Sequence, residues 1–299
     1  MEMLRITNLH KRFGEKEVLR GLTLAVPEHS IFGLIGKNGA GKTTAMKAVL
    51  GLLRPDAGEI LVGGERVVYG QTATNRHIGY LPDVPSFYPF LTAAEYLRFC
   101  GEISGLDRAE NEARGRELLE LVGLGDERHR IRGFSRGMKQ RLGIAQALLG
   151  RPRLLICDEP TSALDPVGRR EILGILQAVR EQTTVLFSTH ILSDVERICT
   201  DVAFLHGGVI ERQGSIAEVK ASYRREDYLL ETEDEAAAMQ LLRVFPALHP
   251  TEGNRLLGRE SDQPAAAVLR FVADHCVPLC RWERVEPTLE SLFMEVVES

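Results

Sequence analysis

The sequence predicts an α/β protein built on a parallel sheet, followed by a small α+β domain. Three observations carry this. Short apolar runs alternate with amphipathic helical patterns in "RLLICDEP", "PVGRREILGILQAVREQ", "TTVLFSTH" and "ILSDVERICT", the order that parallel strands with packed crossover helices require. A glycine-rich stretch, "GKNGAGKTT", follows the apolar run "SIFGLIG" and precedes a helix. From Ser215 to Asp227 the texture turns polar and charged, "SIAEVKASYRRED", and a second set of short elements begins.

In chain order, alternating apolar residues in "MLRITNLH" and "LTLAVPE" predict two early strands, and "SIFGLIG" predicts a buried third. The segment from about 85 to 150 reads as all-helical, with "EYLRFCGEIS" and "RELLELVGLG" at helical spacing and glycines where such helices stop. The strand and helix alternation named above completes a first domain over 1–218. The second, over 227–299, runs through strand "YLLET", helix "EDEAAAMQLLRVF", a hairpin around Glu252-Gly253-Asn254, helix "PAAAVLRFVADHC", strand "PLCRWERVE" and helix "TLESLFMEVVES". That order is β-α-β-β-α-β, ferredoxin-like, with one added helix.

The 299 residues carry 37 basic and 42 acidic side chains, a net charge of −5. Such a balance offers no positive field to hold a polyanion, so nucleic acid is not an expected partner. No apolar run reaches the roughly 18–20 residues that cross a bilayer, and "MEMLRITNLHKRF" lacks a signal-peptide core, so the chain is expected in the cytoplasm. Five cysteines at unrelated spacings do not form a disulfide framework. His275, Cys276 and Cys280 in "DHCVPLC" invite a metal reading, but Pro278 interrupts them and no second ligand pair accompanies them. The cysteines are expected to be small buried fillers, and Trp282 to be packed.

Residues 36–44 fit the pattern G-x-x-x-x-G-K-[ST] in its required strand-to-helix context. Gly36, Asn38, Gly39 and Gly41 let backbone N–H groups wrap an anion at a helix N-terminus. Lys42 can reach the β- and γ-phosphates, and the hydroxyl of Thr43, next to Thr44, can ligate Mg²⁺. Asp158 ends an apolar strand expected beside the Gly36 strand, where it can hold Mg²⁺ while Glu159 polarises an attacking water. His190, ending the next apolar strand in "STH", is placed either as structural support or near a γ-phosphate.

A phosphate loop, then "FSRGM" opening a helix, then strand-"DEP", "SALD" and strand-"STH", in that order, resembles the ATP-binding-cassette (ABC) family of ATPases over about Met3 to Gly214. The resemblance implies a P-loop NTPase fold with a helical subdomain, ATP and Mg²⁺ as ligands, and two ATPase domains paired head to tail. By position, Ser135 and Gly137 would contact the γ-phosphate bound by the partner domain, and Asp165 would lie at the dimer seam. Phe13 would stack on adenine, the alternative being core packing near the first strands. Two departures stand out. Asp83 occupies the position where the family often has a glutamine touching Mg²⁺ or its water, and Arg136 and Met138 replace the usual glycine and glutamine of the signature motif.

"GYLPDVPSFYPFLTAAEYLRF" and "VEPTLESLFMEVV" further resemble the ATP-binding subunits of ABC-2-type exporters. This implies a separate integral-membrane permease, a homo- or heterodimer of ATPase subunits, and a place on the cytoplasmic face of the membrane. An importer ATPase, or a soluble ABC ATPase acting on nucleic acid or ribosomes, is the alternative. The second domain is expected to support pairing or regulation, since it has no catalytic constellation.

Overall fold

The computed structural model describes residues 1–71, 73–222, 227–285 and 288–298. Part of the charged connection, 223–226, and residues 286–287 of the terminal motif lie outside the described residues. Two units emerge: Met1–Val219 with the last residues from Val296, and Lys220–Glu295.

The first unit opens on β1 (Glu2–Phe13) and β2 (Lys16–Pro27), an antiparallel pair that buries Leu4, Ile6, Leu9, Leu22, Leu24 and Val26 on one face. Then come β3 (Ile31–Ile35), α1 (Lys42–Val49), β4 (Ala57–Val62) and β5 (Glu65–Arg66). The sheet β2-β1-β4-β5 is antiparallel throughout. It encloses α1 against a second sheet, so that Met46 and Val49 share one apolar cluster with Leu4, Leu22 and Ile60 on one side and Phe32, Ile156 and Leu186 on the other.

That second sheet receives β6 (Ile78–Leu81), and the chain then leaves it for three helices: α2 (Ala93–Ile103), α3 (Arg108–Leu121) and α4 (Arg136–Leu148). Each starts on a side-chain cap: Thr92 in a reciprocal box with Glu95, Asp107, and Ser135. Polar ties fix their packing, from Asn111 Nδ2 to the Arg98 carbonyl (2.8 Å), from Tyr96 Oη to Gln146 (3.0 Å), and from Arg114 to the Leu148 carbonyl (3.2 Å). The chain returns through β7 (Leu154–Asp158), α5 (Pro166–Val179), β8 (Thr184–Thr189), α6 (Leu192–Ile198), β9 (Asp201–His206), β10 (Val209–Ser215) and α7 (Ile216–Ser222). Every residue of β3, β7 and β8 is buried, as expected of parallel strands covered on both faces.

The order β10-β9-β3-β8-β7-β6 corrects one expectation. β7 does not lie beside β3, because β8 inserts between them and pairs in parallel with both. Apolar pattern identifies buried parallel strands but does not rank them across a sheet. The consequence is that Ile35, Thr189 and Asp158 end three neighbouring strands on one edge, in the order β3, β8, β7.

The second unit contains β11 (Asp227–Thr232), α8 (Glu235–Val244), β12 (His249–Pro250), β13 (Arg255–Arg259), α9 (Ala265–Asp274), β14 (Leu279–Arg284) and, as far as Glu295, α10 (Leu289–Glu298). Its antiparallel sheet has the order β12-β13-β11-β14, with Tyr228, Leu230, Leu241, Leu256 and Val268 in a small core. Two expectations fail here. Trp282 is 39% exposed, and Cys276 and Cys280 are exposed instead of acting as buried fillers. All three lie on or just before β14, the edge strand, which has fewer neighbours to cover it.

Candidate active site

The phosphate loop is shaped by space and by backbone sign. Gly39 and Gly41 have φ of 83° and 112°, in the region that favours glycine, and a Cβ on Gly36 would stand 2.7 Å from the Leu205 carbonyl oxygen. Gly41 caps α1 without a side chain, so no side-chain oxygen takes up the N–H groups of its first turn. Lys42 is buried, and its ammonium donates to the Gly36 carbonyl (2.6 Å) and lies 3.0 Å from Glu159 Oε1. Loop, helix end and ammonium together make a cradle for phosphate oxygens.

Asp158 is buried at the end of β7 and accepts two hydroxyls, Thr43 Oγ1 at 2.7 Å and Ser188 Oγ at 2.6 Å. Ser188 is on β8, so the interposed strand braces the carboxylate that α1 reaches from the other side. Nearby on β6, burial first and the Asp158 charge second push the Tyr80 phenol up to about 12. Glu159 follows with φ of 49°, a left-handed conformation that costs a non-glycine residue of order 1 kcal/mol. Its N–H is held by the carbonyl and hydroxyl of Ser188 (3.2 and 3.1 Å). Its carboxylate sits between Lys42 and His190, whose Nδ1 is 2.9 Å from Oε2.

A cleft of about 460 Å³ joins these groups, lined by Asn38, Gly39, Gly41, Lys42, Thr43, Thr44, Asp83, Asp158, Glu159 and His190, with Gly36 beneath the Lys42 ammonium. The Thr43 hydroxyl and the Asp158 and Asp83 carboxylates are hard oxygen donors, a set that fits Mg²⁺ if phosphate oxygens and water complete it. Among the described residues no group of three or more His, Cys, Asp or Glu side chains stands ready to hold a metal. A larger groove of about 740 Å³ between α2 and α3 includes Arg98, Asn111 and Arg116, well away from the phosphate loop in the chain.

Four expected residues are not in the cleft. Ser135, exposed, accepts the Met138 N–H at 3.2 Å, and Gly137 follows it on α4. Asp165 caps α5, accepting the Gly168 N–H at 2.7 Å. Phe13 is 50% exposed at the end of β1, with the Lys11 ammonium 5.4 Å from its ring centre, which removes core packing as its explanation. Asp83 has a second partner, Arg136 at 3.5 Å, and Gln140 holds its carbonyl at 2.8 Å, so residues at the start of α4 grip the segment after β6. Sequence reasoning missed Val18 and Ser162 in the cleft wall, and Ser188 and Gln140, which hold Asp158 and Asp83; only Ser188 carried a signal, as the hydroxyl two places before His190 in "STH".

A phosphate loop facing two successive carboxylates, Asp158 and Glu159, at the end of a buried parallel strand defines a nucleotide-hydrolysing P-loop protein. The ABC transporter family model matches residues 19–162. Over 302 aligned residues the chain is 42% identical to the uncharacterized ABC transporter ATP-binding protein YxlF of Bacillus subtilis (strain 168), covering 99% of this chain and 100% of that one. The bacitracin transport ATP-binding protein BcrA of Bacillus licheniformis is 37% identical over 254 residues, 84% of this chain and 81% of BcrA. A solved structure of an ATP-binding subunit of an ABC transporter is 34% identical with a TM-score of 0.66, covering 74% of this chain and 93% of that one. The chain belongs to the family of ABC transporter ATP-binding proteins and is an ATPase.

Proposed function

We propose that this chain powers a separate membrane permease for export, two ATPase units closing head to tail around ATP and reopening after hydrolysis. The observation that carries the reading is the division of the phosphate-binding parts. Lys42, Thr43, Asp158, Glu159 and His190 converge on one cleft, whereas the Ser135-capped start of α4 is exposed outside it and available to a nucleotide held by a second copy. Among the described residues no helix is long and apolar enough to cross a membrane. The reading places the spanning part in another chain and this one on the cytoplasmic face. The likeness to a bacitracin transport protein supports an antibiotic-like cargo.

Within the cleft, Thr43 and Asp158 would hold Mg²⁺, with Asp83 reaching it through water; the ion would neutralise charge on the β- and γ-phosphates. Phosphate oxygens compete with Glu159 for the Lys42 ammonium. Nucleotide binding thus releases one side of Glu159, while His190 keeps the carboxylate oriented toward the γ-phosphate, where it accepts hydrogen bonding from the attacking water. Phe13 offers an exposed ring to adenine. Ser135, Gly137 and Asp165 belong to the seam.

Glu159→Gln is expected to lower the ATP hydrolysis rate by about 10²–10⁴-fold with nucleotide affinity retained. Steady-state phosphate release and nucleotide titration calorimetry measure the two effects. Unchanged hydrolysis would assign the water to another group.

A further inference from the structure

The C-terminal sheet ends on a strand that has no neighbour on its outer side among the described residues: β14 pairs with β11 alone. The Val285 N–H donates to the Asp227 carbonyl at 2.8 Å, so odd-numbered residues here turn their backbone groups to β11. By the alternation of an antiparallel ladder, Trp282 and Arg284 turn theirs outward. An open edge of this kind templates another strand unless something blocks it. No proline lies in "LCRWER", and Trp282, the one tryptophan of the chain, is 39% exposed there.

The charges on the edge are self-complementary. On the sheet face that carries Glu231, register sets Arg255 opposite Glu231 and Glu231 opposite Arg281, a row alternating in sign. Arg255 lies 3.4 Å from Glu231, and Arg281 lies 2.5 Å from Glu283 on its own strand. We propose that β14 pairs antiparallel with β14 of a second copy, centred on Trp282, to make one continuous sheet across two C-terminal units. In that register Arg281 faces Glu283 of the second copy, which adds one more acidic member to the alternating row across the dyad. Centring on Arg281 or on Glu283 would instead oppose like charges, so the side chains select this register. The interface needs no nucleotide. It would hold two ATPase units at high effective concentration before ATP arrives.

The full chain without nucleotide, followed by multi-angle light scattering and Trp282 fluorescence over ~1–100 μM, tests this. A dimer is expected, with Trp282 emission shifting to the blue as it forms. Glu283→Arg should weaken that dimer at least about tenfold, and adding Arg281→Glu to it should restore the dimer by exchanging the two signs. Both side chains are solvent-facing, so the fold should tolerate either change. A chain that stays monomeric without nucleotide, or a dimer indifferent to Glu283→Arg, would overturn the proposal. Dimerisation of Glu159→Gln carrying Glu283→Arg on adding Mg-ATP, measured in parallel, reports the head-to-tail closure with the β14 edge silenced, so either interface can fail alone.

Discussion

Glu159 shows how much of this site depends on single residues. A left-handed backbone, an N–H that donates to both the carbonyl and the hydroxyl of Ser188, and flanking by Lys42 and His190 fix one carboxylate. The local order Asp-Glu was visible in the sequence, but the Ser188 brace was not, because it reaches across two strands that are 30 residues apart. The cysteines show the same contrast between local and tertiary information. Burial raises the thiols of Cys100, Cys157 and Cys199, so a smaller fraction of each is thiolate at a given pH, whereas Cys276 and Cys280 are exposed. A colorimetric thiol reagent at about pH 8 should therefore label Cys276 and Cys280 fast, the part-buried Cys100 and Cys199 more slowly, and Cys157 only on unfolding. Rapid labelling of Cys157 in the native protein would contradict the packing of β7.

At the scale of elements, the phosphate loop was legible because its determinants are contiguous, and even its crowding has a testable cost. Gly36→Ala would drive a Cβ against the Leu205 carbonyl at 2.7 Å and the Ala40 methyl at 3.2 Å. One of these atoms is backbone on β9, so relief requires moving a strand. The expected cost is about 1–3 kcal/mol, seen as a thermal midpoint lower by several degrees in nucleotide-free protein, together with weaker ATP binding. An unchanged midpoint would mean that the loop and β9 are less closely packed than described. Strand order was not legible: β3, β7 and β8 read alike as apolar runs, and only crossover packing decides that β8 lies in the middle. Nor was the exposure of Trp282, since a tryptophan in an apolar-polar alternation reads the same on a central strand and on an edge.

For the whole molecule, the first unit carries the chemistry, and the second presents a charge-patterned edge. The family follows from motifs spread over most of the first unit, and full-length likeness to another ABC transporter ATP-binding protein extends it across the second. Closure on ATP is the central claim, because it explains why the chain has a capped helix start at Ser135 as well as a phosphate loop at Gly36. The most direct test is the Mg-ATP-dependent increase in mass of Glu159→Gln by light scattering, with Glu283→Arg included to silence the β14 edge, compared with the same protein carrying Ser135→Arg. The account predicts that Mg-ATP doubles the mass of the first protein and not of the second. ATP binding in both with no nucleotide-dependent association in either, or equal association in both, would contradict it.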